Sequence, residues 1–150
     1  MRLLLVYHSQ SGNTAQLMAA VARGAEREAG IEVVVKRAFD TTLDDLIASG
    51  AVVFGSAEYN GYMSGALKEL FDRTFEPAQG RVTNKPYACV VSAGNDGTFA
   101  LQAIERIARG YPLKRVADPI IVVGPVDAGG EARCEELGET IAAGLTLGIF

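Results

Sequence analysis

Short apolar runs alternate along the chain with stretches of helical period. Leu3 to Tyr7 is continuously apolar, as expected of a strand buried on both faces. After a polar loop, Leu17, Met18, Val21, Ala22 and Ala25 recur at helical spacing, and Gly30 marks the stop. Ile31 to Val35 reads as a second strand. A short helix follows from Leu43 to Ala48, with Thr42 and Asp45 spaced as a capping box. The third strand is Ala51 to Gly55, and Met63, Ala66, Leu67, Leu70, Phe71 and Phe75 line one face of the next helix. Tyr87 to Ser92 is a fourth strand, followed by a helical stripe of Ala100, Ala103, Ile104, Ile107 and Ala108. Ile120 to Val123, opened by Pro119, is the fifth, and the last helix carries Leu137, Ile141 and Leu145.

Five strands alternating with helices imply right-handed crossovers and a parallel sheet covered on both faces. The open, doubly wound form is expected, because a closed barrel of this kind needs eight strands. With no internal repeat, low-complexity tract or linker, residues 1–150 read as one domain with a substantial core. A hydrophobic content of 49% and a charged content of 21% are ordinary for a globular protein, and 17 glycines suit many tight turns. The formal charge of −4 supplies no electrostatic reason to expect nucleic acid. Cys89 and Cys134 lie far apart without metal-ligand spacing, so neither a disulfide framework nor a metal site is expected. No run has the length of a signal core or a membrane span, which makes the cytoplasm the default location.

In an open parallel sheet a ligand sits beyond the carboxyl ends of the strands. That rule directs attention to the loops after strands one, three and four. The first, Ser9-Gln10-Ser11-Gly12-Asn13-Thr14, offers three hydroxyls, an amide and a glycine at a helix start, where N–H groups and the helix dipole favour an anion. It lacks the lysine of a GxxxxGK[ST] loop and the glycines of GxGxxG. A serine-rich N-cap turn without a ligand is the plain alternative. The second loop runs through Ala57, Glu58, Tyr59, Asn60, Gly61 and Tyr62, and its tyrosines could face a planar ring or simply cover the sheet edge. The third, Ser92-Ala93-Gly94-Asn95-Asp96-Gly97, lets main-chain groups approach a polar ring edge. It also reads as an N-cap turn with Asp96 or Thr98 as the cap.

Tyr7-His8-Ser9-Gln10-Ser11-Gly12-Asn13-Thr14 resembles the phosphate loop of flavodoxins, [ST]-x-[ST]-G-x-T. Glu58-Tyr59-Asn60-Gly61, continuing to Gly65-x-Leu67-Lys68, resembles the PEYNxSxPGxLK segment of NAD(P)H-dependent FMN reductases, with Ala57 where proline is usual. Met63-Ser64-Gly65-x-Leu67-Lys68-x-x-Phe71-Asp72-Arg73 is similar to quinone-reductase relatives. The resemblance implies a flavodoxin-like three-layer fold with strand order 2-1-3-4-5. It also implies FMN, with its phosphate on Ser9 to Thr14 and its ring against the second and third loops. The Asn60-Gly61 peptide would then face flavin N5, since glycine tolerates a peptide flip.

The implied activity is an FMN-dependent oxidoreductase passing electrons from NAD(P)H to a quinone or similar acceptor. A carrier that docks redox partner proteins, or a flavin-sensing module, would use the same site. Carrier flavodoxins usually have a Cys-Gly-Asp loop with a stacking tyrosine after strand four, whereas this chain offers only Phe99 there. No side-chain constellation compels an acid, base or nucleophile, so no catalytic residue is assigned, and His8 is the sole histidine near the loops. Glu131, Glu135, Glu136 and Glu139 on the last helix read as a solvated face. A homodimer is compatible with the resemblance, and no membrane insertion is expected.

Overall fold

Alternation along the central strands decides the layering. In the computed structural model, which describes residues 1–150, Leu3 and Leu5 of β1 (Arg2–Tyr7) face one side of the sheet and Leu4 and Val6 the other. All four are fully buried. On the first side they meet α1 (Asn13–Ala25) and α5 (Ala128–Thr146) through Leu17, Met18, Val21, Leu137 and Ile141. The second side is closed by α2 (Leu43–Ala48), α3 (Gly65–Ala78) and α4 (Thr98–Gly110), where Phe54, Leu70, Phe71 and Ile104 are buried in one core cluster.

The strands are all parallel, in the expected order 2-1-3-4-5. β2 (Glu32–Arg37) borders β1, followed by β3 (Ala51–Ala57) and β4 (Pro86–Ala93). The fifth position is a broken strand. β5 (Lys114–Arg115) pairs with Pro86 and Tyr87, and β6 (Ile120–Val123) with Val90 to Ala93. The intervening Asp118-Pro119 interrupts the ladder, as a residue without an N–H must. Only the β6 half was expected. Two exposed residues carry no apolar pattern, which is why Lys114–Arg115 escaped notice.

Other departures are local. Helix α1 ends at Ala25, and Gly30 instead takes φ 86° in the turn into β2. Met63 is buried but precedes α3, and a 3₁₀ turn at Ala38–Asp40 follows β2. The Thr42–Asp45 capping box forms as predicted. The acidic face of α5 is not merely solvated: Glu131, Glu135 and Glu139 pair with Arg23 and Arg27 of α1. Beneath these ion pairs the two helices approach closely, because a Cβ on Gly138 would lie 2.0 Å from the Val21 carbonyl oxygen. No helix is long and apolar enough to cross a membrane.

Candidate functional site

The three loops meet at the carboxyl end of the sheet. The first folds on itself, with Ser9 Oγ accepting the Gly12 N–H at 3.1 Å. Gly12 takes φ 101° as the N-cap of α1, a conformation that favours glycine. No protein acceptor takes the N–H groups of Ser11, Asn13, Thr14 or Ala15. In each of the other four α-helices, a side chain accepts at least one first-turn N–H. Helix α1 alone keeps its positive end unserved, and its first turn holds no acidic residue.

The second loop is a tight hairpin. Tyr59 and Tyr62 exchange both backbone hydrogen bonds, at 2.9 and 3.0 Å, around Asn60 and Gly61. These take φ 51° and 72°, and positive φ at both central positions defines a type I′ turn, for which Asn-Gly is the favoured pair. Flipping the central peptide would give a type II′ turn, which wants glycine at the first position. The burden of a flip therefore falls on Asn60, not on Gly61.

Glu58 joins the second loop to the third. Its Oε2 accepts the N–H groups of Phe99 and Ala100 at 3.1 Å each, and Asp96 Oδ1 accepts that of Thr98 at 3.1 Å. Two carboxylates thus cap α4, although its N-cap position is Gly97. Gly97 is needed for space as well as for φ 89°, because a Cβ there would lie 2.6 Å from the Ile121 side chain. Thr14 and Ser92 hydroxyls, both buried, bond at 2.8 Å and tie the first loop to the third. The Tyr59 hydroxyl accepts the Gln10 N–H at 3.3 Å and ties the first to the second.

Between the loops lies a cleft of about 320 Å³. Ser11 and Asn13 line it from the first loop, and Ala57, Glu58 and Tyr59 from the second. Ser92, Ala93 and Gly94 line it from the third. The remaining expected residues surround or brace the cleft. Ser9, Gly12 and Thr14 shape the first loop, Asn60, Gly61 and Tyr62 complete the hairpin, and Asp96 and Gly97 start α4. Gln10 carries the tie to Tyr59, and Asn95 makes no side-chain hydrogen bond.

Two contributions were missed. Gly124, at φ 81° just after β6, lines the cleft from a fourth loop, and the carboxyl-end rule applied to the fifth strand would have found it. Arg37 supplies the cation that the first loop lacks, its guanidinium reaching the Ser9 carbonyl at 3.5 Å. The signal was the strand order itself, since pairing of β1 with β2 sets Tyr7 beside Arg37. His8 stands edge-on to Phe39 and Tyr59, with ring centroids 6.0 and 6.3 Å away. Burial, helped by the Arg37 charge, holds its pKa below the usual histidine value, and its buried Nδ1 has no partner. Both cysteines are buried, and burial pushes the Cys134 thiol up to about 11.

A helix start with free N–H groups, an aromatic hairpin and a small-residue loop thus surround one cleft at the carboxyl end of a doubly wound parallel sheet. Comparison with known proteins gives the family. Residues 34–112 match the NADPH-dependent FMN reductase family, more than half of the chain, and the chain belongs to that family. FMN is the cofactor this membership assigns. Among curated proteins, the chain is 28% identical to a flavodoxin from Aquifex aeolicus over 64% of its length and 52% of the relative's. It is 33% identical to an NAD(P)H dehydrogenase (quinone) from Archaeoglobus fulgidus over 49% of its length and 51% of that protein. The chain thus spans about half the length of the curated relatives it matches. Among solved structures, a flavodoxin from the domain Archaea superposes with a TM-score of 0.84 at 24% identity, covering 97% of this chain and 99% of that one. A WrbA-like flavodoxin from Agrobacterium tumefaciens gives 0.80 at 20% identity, covering 97% and 98%.

The residues present fit FMN. Four free main-chain N–H groups suit its phosphate, and Ala57, Ala93 and Gly94 leave room for a flat ring. An added Cβ at Gly94 would meet nothing within 4 Å.

Proposed function

We propose that residues 1–150 form one FMN-binding domain of a cytoplasmic oxidoreductase that takes electrons from NAD(P)H. The observation that carries this reading is the contrast between helix starts: α4 is closed by Glu58 and Asp96, whereas α1 faces the cleft with its N–H groups free. A phosphate dianion is the natural complement of the second.

Ser11, Asn13, Thr14 and Ala15 would hold the phosphate through main-chain N–H groups, with Ser9, Gln10 and Gly12 keeping the loop folded and Arg37 adding a positive field. Tyr59 would flank the ring. Ala57, Ser92, Ala93 and Gly94 would present main-chain groups to its edge, and Asn60, Gly61, Tyr62, Asn95, Asp96 and Gly97 would set the loops that carry them. The Glu58 carboxylate only accepts hydrogen bonds, and both accepted bonds are to α4, so it positions rather than donates.

Bound FMN supplies the redox chemistry, for the net reaction NAD(P)H + H⁺ + quinone → NAD(P)⁺ + quinol. Similarity to the quinone dehydrogenases of Archaeoglobus fulgidus and Acidithiobacillus ferrooxidans supports a quinone-like acceptor. Similarity to the Aquifex aeolicus flavodoxin supports a second reading, an electron carrier serving partner proteins. An absorbance spectrum of the purified protein, followed through anaerobic titration with NADPH and then quinone, tests both. Bleaching by NADPH and recovery with quinone is expected. A flavin that binds but is not reduced by NADPH or NADH leaves the carrier, and a protein that takes up no FMN ends both readings.

A further inference from the structure

A second concavity, about 490 Å³, lies between α3 and α4 and begins at the hairpin that frames the flavin cleft. Tyr59 lines the cleft and Tyr62, its hairpin partner, lines this groove, so the two spaces adjoin across one turn. From Lys68 to Phe75 the groove follows α3 for about 10 Å, at 1.5 Å per residue. Gly110 closes its far end, where a Cβ would lie 2.9 Å from the Phe75 ring.

Its lining mixes ring faces with cations. Tyr62 and Phe75 are partly exposed, and Gln102 adds an amide. Arg106 makes no ion pair or hydrogen bond within the chain, so its charge is free for a ligand. Lys68 is paired only with the exposed carboxylate of Asp72. The groove is therefore net positive and amphipathic, and it lies across one hairpin from the flavin cleft. NADPH differs from NADH only by a 2′-phosphate on the adenosine ribose, remote from the nicotinamide. Choosing between them needs cations in a place like this one.

We propose that the α3–α4 groove is the adenosine 2′-phosphate subsite for NADPH, with Arg106 and Lys68 as the cations that select it over NADH. The inference rests on NAD(P)H being the electron donor. Adenine lies against Phe75 or Tyr62, and the 2′-phosphate sits between the helices.

The test uses FMN-loaded full chain, with adenosine 2′,5′-bisphosphate and adenosine 5′-monophosphate as probes in calorimetric titration. The bisphosphate is expected to bind more tightly than the monophosphate. Arg106→Gln should weaken the bisphosphate about tenfold, the scale of one charge-assisted hydrogen bond, and Lys68→Met somewhat less. Arg109→Gln, on the same helix but outside the groove, should leave binding unchanged. In turnover, Arg106→Gln should lower the ratio of kcat/KM for NADPH over NADH about tenfold. Equal binding of the two probes, or an unchanged ratio in Arg106→Gln, overturns the subsite while leaving oxidation of NADH intact. Failure to oxidise either nucleotide defeats the donor reading instead. In that case bisphosphate binding weakened by Arg106→Gln still upholds a 2′-phosphate site, and its absence ends both.

Discussion

Replacing Glu58 with alanine removes the carboxylate that serves the Phe99 and Ala100 N–H groups at 3.1 Å each. Loss of a capping acceptor costs about 1 kcal/mol. Loss of the negative charge from the helix start adds about 0.5 kcal/mol. Ala100 is fully buried, so its stranded N–H is poorly placed to recruit water, and a further ~0.5–1 kcal/mol follows. The sum is about 2 kcal/mol. At roughly 2–4 °C per kcal/mol for a chain of this size, the Tm of FMN-free protein falls by about 4–8 °C. Glu58→Gln keeps an acceptor oxygen and loses the charge, so it should recover more than half of that loss.

Thermal and urea unfolding of the three proteins gives the energies, and amide exchange shows where the change lies. Protection at Phe99 and Ala100 should drop in Glu58→Ala and largely return in Glu58→Gln. A Glu58→Ala protein within about 0.5 kcal/mol of the parent would refute the cap, since surface changes away from such features fall in that range. Equal losses in both variants would refute the division between hydrogen bonding and charge.

Four further expectations follow from particular atoms. Gly138→Ala should destabilise by about 2 kcal/mol in urea unfolding, because the 2.0 Å approach to the Val21 carbonyl outweighs the ~1 kcal/mol that alanine gains in a helix; a stabilised variant would sink the close packing of α1 on α5. Asn60→Gly makes a type II′ turn accessible and should shift the bound flavin's midpoint potentials, while unchanged potentials count against a role for that peptide. Burial alone would raise the Asp45 pKa, but hydrogen bonds from Lys36 and Thr42 outweigh it and hold the pKa down. Its contribution is thus present above the unfolded pKa of about 4 and lost as pH falls through the lower folded value, so Asp45→Asn should destabilise more at pH 6 than at pH 2.5. Thr14→Val strands the Ser92 hydroxyl and should cost about 1–2 kcal/mol in thermal unfolding, with Thr14→Ser recovering part of it.

Most of the fold was legible because its signals are local. The run Leu3 to Val6 needs two buried faces, and the Thr42–Asp45 spacing caps its own helix. What stayed hidden depends on residues distant in sequence. Arg23 and Arg27 find Glu135 only after α1 packs on α5, and nothing in the spacing of either helix announces the other. The same holds for Arg37, which reaches Ser9 only through strand order. Residue types pointed to three loops that meet around one cleft, but not to the division of labour among them. Glu58, Asp96 and Thr14 look like ligands by composition, yet each spends a side-chain oxygen on another part of the protein.

That division explains how one chain can carry two similar helix starts at one end of a sheet, one closed by carboxylates and one left open. A positive helix end beside a cleft attracts any carboxylate in reach, and α4 is satisfied by Glu58 from the neighbouring loop and by Asp96 from its own. Helix α1 has no acid in its first turn. The hydroxyls of its loop turn elsewhere, Ser9 onto Gly12 and Thr14 onto Ser92. These bonds hold the loop open before any ligand arrives, so binding need not first pull the N–H groups away from internal partners. On the proposed reading, a hydroxyl-rich loop without lysine or arginine would recognise phosphate mainly through its backbone. Its serines and threonine act chiefly by keeping that backbone in place.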